Sequence, residues 1–442
     1  MAMSNEKRVA MLVAEKLRDA GYVAYFAGGC VRDELLGKVP KDFDIATSAT
    51  PKQVLGLFPK ADSIGAHFGV ILVKLEGMHF EIATFRTDGS YADGRRPETV
   101  TYSTPEEDAQ RRDFTVNGLF ADPVSGEIID FVGGQEDLKN GVLRAIGDPK
   151  ERFQEDALRL MRAVRFATTL EFEIEAATWQ AICEHAQMLE KIAVERVQTE
   201  FSKLIMAPAR RRGLEMLVDS GLIKIFMPEV LDLIGCEQPP QWHPEGDVYV
   251  HTCMMLEMLE KESPSLELCL AVLLHDIGKP ATYTYDEEDD RIRFNGHDGV
   301  GAEMSEVILR RMKYSNSVIE DVEVMVANHM NFMNVMKMKV SKLKRFMSRE
   351  TFDDEIELHR VDCASSNGFT ENYDFVLEKQ VEFANEPLIP DPLVMGRDLI
   401  EMGMKPGPEF KKILQEVQTE QLEGRLNERE AALEWVKKEF VQ

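Results

Sequence analysis

Residues 28–47 read GGCVRDELLGKVPKDFDIAT, and the parsing of this stretch decides the fold. Gly28-Gly29 follows the β-rich run Ala24-Tyr25-Phe26-Ala27 and precedes a helical VRDELLG, which predicts a strand, a tight turn and a helix in succession. Bare backbone N–H groups at such a junction can approach phosphate oxygens, although a Gly-Gly turn alone is a weak signal. Asp42 and Asp44 stand two apart. On a strand that spacing points both carboxylates to one face and sends Phe43 and Ile45 to the other. Two carboxylates side by side repel, and a hard divalent cation such as Mg²⁺ relieves the repulsion. Such a pair can hold two metals that activate an attacking hydroxyl and neutralise a departing pyrophosphate. An isolated D-x-D is more often an acidic turn; the Gly-Gly helix upstream tilts the reading toward chemistry.

Outward from this stretch the pattern stays mixed for about 150 residues and then turns helical. Upstream, Val9, Leu12, Val13 and Leu17 recur at helical spacing and Gly21 closes the segment. Downstream, HFGVILVKLEG and HFEIATFR read as strands, with a helical TPKQVLGLF before them. This predicts a small mixed sheet with helices, ending near Asp148-Pro149. From Lys150 onward ERFQEDALRLMRAVRFATTL, TWQAICEHAQMLEKI, VERVQTEFSKLIM and RRRGLEMLVDSGLI are helical in period. The expected organisation is an α+β head at 1–148, a helical neck and body at 149–238, a His-bearing helical domain at 239–368 after Pro239-Pro240, and a helical tail at 369–442.

Composition bounds the function. A chain of 442 residues with 44% hydrophobic and 29% charged residues is ordinary globular material with room for two to four domains. The formal charge of −26 means that any polyanion must be held by a local basic surface. Six scattered cysteines with no C-x-x-C pair suggest neither a zinc ribbon nor a disulfide framework, and fit a reducing cytoplasm. Neither a signal peptide nor a membrane span is expected, because charges interrupt every apolar run.

Further along, the helix ERFQEDALRLMRAVRF sets Phe153, Ala157, Leu160, Met161 and Val164 on one face, and Arg152, Glu155, Asp156, Arg159 and Arg162 on the opposite arc. Asp156 and Arg159 are three apart, so their heads can lie together. A carboxylate only accepts and a guanidinium only donates, so the pair can satisfy the mixed edges of C and of A; taken alone it is equally a surface ion pair. Lys203, Arg210, Arg211 and Arg212 form the most basic cluster, a candidate RNA-phosphate contact or simply a solvated helix end.

GGCVRDELLG followed by KDFDIAT resembles the head of the DNA polymerase β nucleotidyltransferase superfamily, and in this form the class II tRNA nucleotidyltransferases and bacterial poly(A) polymerases. The resemblance implies a polymerase-β-type head, with Gly28, Gly29 and Arg32 near the nucleotide. RRDFTVNGLF resembles the segment that recognises the ribose, carried by Arg112, Asp113 and Asn117. A third metal-facing carboxylate is expected on a neighbouring strand, and Glu81 is the candidate; its alternative is a solvated strand residue. TDGSYADGRRPETVTYS, with Asp93, Arg95 and Arg96, corresponds to a loop present in family members that add the terminal A, which argues against a CC-only enzyme. EDALR followed by RAVRF resembles the family motif in which Asp156 and Arg159 select CTP and ATP, with Arg162 and Arg165 beside them.

A second constellation joins His251, His275-Asp276, His297, His329 and Asp362. A His-Asp pair ending the apolar LCLAVLLHD is costly to bury unless something binds it, and imidazole with carboxylate suits Mn, Ni, Fe or Zn. HPEGDVYVHT, HDIGKP and Asp362 resemble the HD phosphohydrolase superfamily. That resemblance implies His251, His275, Asp276 and Asp362 as metal ligands, with Lys279, His297 and His329 able to touch phosphate or a second metal. His67, His79, His185, His243 and His359 read as structural.

The combined expectation is a nucleotidyltransferase that adds C and A to tRNA 3′ ends from CTP and ATP with no nucleic-acid template, using Mg²⁺ in the head and carrying an accessory HD-type site. An A-adding enzyme, a poly(A) polymerase and an HD phosphoesterase whose head only binds nucleotide are the alternatives.

Overall fold

The structure, a computed structural model, describes residues 4–62, 69–88, 100–241, 243–259, 264–366 and 368–441. Asp93, Arg95, Arg96 and His67 lie outside the described residues. The chain divides into two compact units, Met1–Pro228 and Glu229–Gln442.

The first unit opens with α1 (Asn5–Asp19), started by Ser4, whose hydroxyl accepts from the Lys7 N–H. Its apolar stripe Val9, Val13 and Leu17 is fully buried, and the helix packs over strands of the sheet. There follow β1 (Ala24–Ala27), α2 (Gly29–Leu35), β2 (Ile45–Thr47), α3 (Pro51–Leu57), β3 (Val70–Leu75), β4 (Met78–Thr84), β5 (Arg86–Asp88), β6 (Val100–Tyr102), α4 (Pro105–Gln110), β7 (Phe120–Ala121), β8 (Ile128–Ile129) and α5 (Gly134–Asn140). Six of the strands form one sheet in the order β3-β4-β2-β1-β7-β8, in which β2 and β4 run parallel and the other neighbours antiparallel. Phe85, Phe120, Ala27, Ala46 and Ala109 make one of its apolar clusters. The expected small mixed sheet with helices is what forms.

Beyond β9 (Val142–Leu143) the unit is helical, apart from β10 (Glu173–Ile174), which pairs with β9. The helices are α6 (Pro149–Glu155), α7 (Leu158–Leu170), α8 (Ala176–His185), α9 (Val194–Ile205), α10 (Arg210–Asp219) and α11 (Ile223–Phe226). The single helix expected across 151–166 is broken. Asp156 leaves the helical region at φ −141°, ψ 104°, and its carboxylate accepts from the Leu158 N–H at 3.0 Å, so it ends one helix and helps start the next.

In the second unit α12 (Val248–Met258) starts at Asp247, whose carboxylate accepts from the Val250 and Gly235 N–H groups. Then come α13 (Leu266–Leu274), α14 (Lys279–Thr282), a hairpin of β11 (Thr284–Asp286) and β12 (Arg291–Arg293), α15 (His297–Arg311), α16 (Asn316–Asn328), α17 (Val340–Met347), α18 (Phe352–Ser365), α19 (Glu371–Phe383), α20 (Gly396–Glu401), α21 (Pro408–Leu422) and α22 (Arg429–Phe440). α13 is apolar all round because it is the middle of the bundle, packed against α12, α16 and α18. Val394, Leu399, Ile413, Val417 and Val436 give α20–α22 a core of their own.

Candidate functional site

One end of the sheet gathers the head's chemistry, and the strand register explains how. Phe26 pairs with Ile45 and Ala27 with Phe120, so the residues just beyond β1 and just before β2 and β7 share that end. The Ala27 N–H donates to the Asp44 carbonyl at 3.0 Å, which extends the pairing to the residue just before β2. Ile45 lies opposite Ile82 on the parallel β4, which sets Glu81 alongside Asp44. Phe43 and Ile45 are buried while Asp42 and Asp44 turn to the opposite face, as the alternation requires.

A cavity of about 550 Å³ is lined by Gly28, Gly29, Arg32, Asp42, Asp44, Arg112, Asp113, Asn117, Asp156, Arg159 and Arg162, all expected from sequence, together with Arg111 and Phe166. Glu81 and Arg165 are not among its lining residues. Gly28 sits at φ +71°, and a Cβ there would come within 2.9 Å of the Arg112 guanidinium. Desolvation by the surrounding protein, then the Glu81 and Asp42 carboxylates, push Asp44 up to about 6. A carboxylate so crowded by its own kind fits a divalent cation.

Asp113 is buried and works through its neighbours. One oxygen accepts from Asn117 Nδ2 at 3.1 Å and the Phe114 N–H at 2.8 Å, and the other from Arg162 Nε and Nη2 at 2.9 and 2.6 Å. Burial opposes its charge, but Arg162 holds Asp113 down at about 2. Asn117 also accepts from Arg32 Nη1 at 2.6 Å, so the Arg32–Asn117–Asp113–Arg162 chain is a single network. Arg165 pairs with Glu200 at 2.8 Å and lies 3.5 Å over the Phe166 ring, which itself lines the cavity.

Asp156 and Arg159 both line the cavity but do not pair with each other. Arg196 donates to Asp156 at 2.9 Å, while Arg159 pairs with Glu155 and donates to the carbonyls of Arg152 and Arg111 at 2.9 and 3.2 Å. The expected shared helical turn is absent because the helix breaks at Asp156.

In the second unit the histidines converge. His251 Nε2 lies 3.2 Å from Asp362, His275 Nε2 3.1 Å from Asp276, and Lys279 Nζ 2.6 Å from Asp276 and 2.6 Å from Gln238. His297 Nε2 lies 3.4 Å from Asp276 and 3.2 Å from His329 Nε2. Despite these approaches, the buried Nε2 atoms of His251 and His275 are not aligned for any hydrogen bond, as expected of donors that converge on an ion. Burial opposes a proton on His251, but Asp362 and Glu245 raise it to about 9; burial and His275 lower His329 to about 4. Burial likewise opposes the charge on Asp276, which His275 and Lys279 hold well below the usual carboxylate range.

Family models match three stretches: "Poly A polymerase head domain" at 24–144, "Probable RNA and SrmB- binding site of polymerase A" at 171–234 and "HD domain" at 248–359. A CCA-adding enzyme of Ligilactobacillus salivarius is 35% identical over 98% of this chain and 97% of its own length. The chain belongs to the CCA-adding enzyme family. It is therefore a nucleotidyltransferase carrying an HD domain. A CCA-adding enzyme of Lactococcus lactis is 49% identical over 50% of this chain and 56% of its own. The crystal structure of the Bacillus stearothermophilus CCA-adding enzyme in complex with CTP matches with a TM-score of 0.76 at 28% identity, covering 99% of this chain and 98% of that one.

Two further expectations need correction in this CCA-adding enzyme family member. Arg210 is 2% exposed and donates to the Ile205 carbonyl at 3.2 Å, so it holds the α9–α10 turn and is not available to phosphate. Arg211 pairs with Glu215, and Arg212 with Glu173 and the Phe172 carbonyl; Lys203 is exposed. His243, read as structural, joins the metal-donor cluster. Glu245 takes both His243 Nδ1 and His251 Nδ1 at 2.8 Å. The signal was present in HPEGDVYVH, where a His and a Glu precede His251 by eight and six residues. His359 also lines a second cavity, of about 460 Å³ in the second unit, beside Asp276, although its ring stacks on Phe332 at 4.5 Å as a core residue would.

Proposed function

We propose that the head adds C and A residues to tRNA 3′ ends from CTP and ATP without a nucleic-acid template, with Asp42, Asp44 and Glu81 as the carboxylates that hold Mg²⁺. The observation that carries this reading is one cavity lined by Asp42 and Asp44 together with Asp156 and Arg159. A nucleotide's triphosphate and base can then be held together. When bound, Mg²⁺ supplies positive charge for the α-phosphate and the departing pyrophosphate. Arg32, Arg112, Asp113 and Asn117 form the sugar and phosphate wall, and Gly28-Gly29 keeps that wall open to close approach. Arg162, fixed by Asp113, backs the base.

Asp156 accepts from the exocyclic amine of C or A, and Arg159 donates to the adjacent ring nitrogen or carbonyl; the Watson–Crick edges of U and G present the opposite pattern. Because Arg196 and Glu155 engage these side chains, base selection requires an exchange of partners. Lys203, Arg211 and Arg212 of the expected basic cluster remain candidate RNA contacts, together with the 171–234 segment. The scheme of head at 1–148, body at 149–238, HD domain at 239–368 and tail at 369–442 assigns addition to the first two parts. No described helix is long and apolar enough to cross a membrane, which is compatible with work in the cytoplasm.

The test offers tRNA transcripts ending at the discriminator base, at C and at CC, with each nucleotide alone and in pairs. Growth by C, C and A in turn supports the reading. Addition of A alone to the CC transcript, or tails extended without limit, overturns it.

A second activity is favoured by the buried donors of the HD unit. His251, His275, Asp276 and Asp362 would hold a divalent transition metal (Mn, Ni, Fe or Zn), with Lys279, His297 and His329 at the substrate side, for hydrolysis of a phosphoester.

A further inference from the structure

Three arginines of the first unit converge on one aromatic ring. Phe166 of α7 is buried, lines the nucleotide cavity, and has the guanidinium carbons of Arg32, Arg162 and Arg165 over its ring at 5.2, 5.2 and 3.5 Å from the centroid. Arg32 comes from α2, whereas Arg162 and Arg165 come from α7 itself. Polar contacts join the three in a chain. Arg32 donates to Asn117, Asn117 to Asp113, and Arg162 to Asp113, while Glu200 lies 3.8 Å from Arg162 and accepts from Arg165 at 2.8 Å. The Phe114 ring stands 5.8 Å from that of Phe166 at 75°, so the segment bearing Asp113 and Asn117 rests on the same group. Three like charges about one ring repel. Asp113 and Glu200 offset part of that repulsion, and the quadrupole of a π face attracts each guanidinium besides. An aliphatic side chain of similar bulk would fill the space without that attraction.

We propose that Phe166 is a positioning residue for nucleotide binding: its π face holds Arg32 and Arg162 in the cavity wall before the nucleotide arrives, so that the electron density of the ring, and not its bulk, sets the affinity for CTP and ATP. This rests on the reading of the head as the site of nucleotide addition. Arg32 and Arg162 line the cavity and Arg165 does not. Arg165 instead ties the ring to the buried Glu200 of α9, which fixes the ring to the body of the unit. Significant cation–π contacts arise about once per 70–80 residues. Three on one ring, two of them to cavity residues, is therefore a concentration that filling a core does not call for. A long side chain that must be ordered on binding lowers affinity, and one already held does not. The effect should be common to CTP and ATP, because the ring addresses the arginines while Asp156 and Arg159 address the base.

The experiment replaces Phe166 in the full-length chain by mono-, di- and trifluorinated phenylalanine through nonsense suppression, which withdraws electron density from the ring face and keeps its shape. Steady-state addition of C and of A to tRNA transcripts is measured with Mg²⁺, and each protein's melting temperature is recorded. KM for CTP and for ATP should climb in step with fluorination, to about tenfold with the trifluorinated ring, while kcat and the melting temperature change little. Phe166→Leu should raise KM at least as far. An equal KM across the fluorinated series overturns the proposal even where Phe166→Leu is impaired, because bulk would then be all that matters. A rise for only one of the two nucleotides also overturns it, since the ring would then act on the base. In both cases addition by the unsubstituted protein leaves the reading of the head standing; absence of addition by that protein overturns both. The fluorinated rings keep the native packing, so the series is decisive even where Phe166→Leu fails to fold.

Discussion

Single residues in the head set a conflict between stability and chemistry. Asp44, raised to about 6, holds its proton more firmly in the folded metal-free protein than in the unfolded chain, so its ionisation works against folding. That penalty is complete above the folded value and vanishes below the ordinary carboxylate range. Asp44→Asn should therefore raise the melting temperature of metal-free protein at pH 8, lose that advantage near pH 4, and abolish nucleotide addition throughout. A melting temperature unchanged at pH 8 would mean that the carboxylates do not crowd Asp44. Arg159→Ala should relax discrimination against UTP and GTP, which single-nucleotide incorporation assays read directly; equal slowing with all four nucleotides would reduce Arg159 to a structural partner of Glu155. The facing of the D-x-D pair is legible in the sequence through period-two alternation, while Arg112, Asp113 and Asn117 are placed beside it by resemblance alone and line the same cavity. The burial of Arg210 is not legible, because it depends on packing between segments distant in sequence, whereas His243 is within reach of the sequence through the spacing of His243 and Glu245 to His251.

At the scale of elements, apolar periodicity shows the helices but not their ends. Residues 151–166 keep a helical pattern through Asp156, yet that side chain bonds the Leu158 N–H and Arg196 takes its outer oxygen, so two short helices replace one. Nothing in the local pattern announces a partner forty residues away. α13 is legible as buried from its unbroken apolar run, whereas the turn between α13 and α14 depends on a close approach that sequence does not display. A Cβ on Gly278 would lie 2.4 Å from the His297 carbonyl and 2.6 Å from the Gly301 nitrogen. Neither is a flexible group that can move aside. Gly278→Ala should force the start of α15 away from α14, destabilise the second unit by about 3 kcal/mol, and weaken Mn²⁺ binding. Urea unfolding and metal titration test this; a wild-type midpoint with wild-type affinity would show that the helices tolerate the shift.

For the whole molecule, the question is whether the two chemistries depend on one another. The carboxylates of the head belong to Met1–Pro228 and the histidine cluster to Glu229–Gln442, each unit with its own apolar core. Two such cores can support two sites whose ligands are not shared. Asp276 is 2% exposed and faces His275, Lys279 and His297, so removing it leaves those groups without their common carboxylate. Asp276→Ala should lose hydrolysis of a 2′,3′-cyclic phosphate or an aryl phosphate in the presence of Mn²⁺ or Ni²⁺, while C and A addition to tRNA continues at near wild-type rate. Because unpaired Lys279 and His275 would also weaken the second unit, Asp276→Asn, which keeps the shape, should give the same split at higher stability. Loss of nucleotide addition in Asp276→Asn, with the second unit still folded by circular dichroism, would mean that the head draws on the HD unit for its own reaction. If metal-loaded wild-type protein cleaved no member of a broad phosphoester panel, the histidine cluster would be left as a metal-binding structure without catalysis.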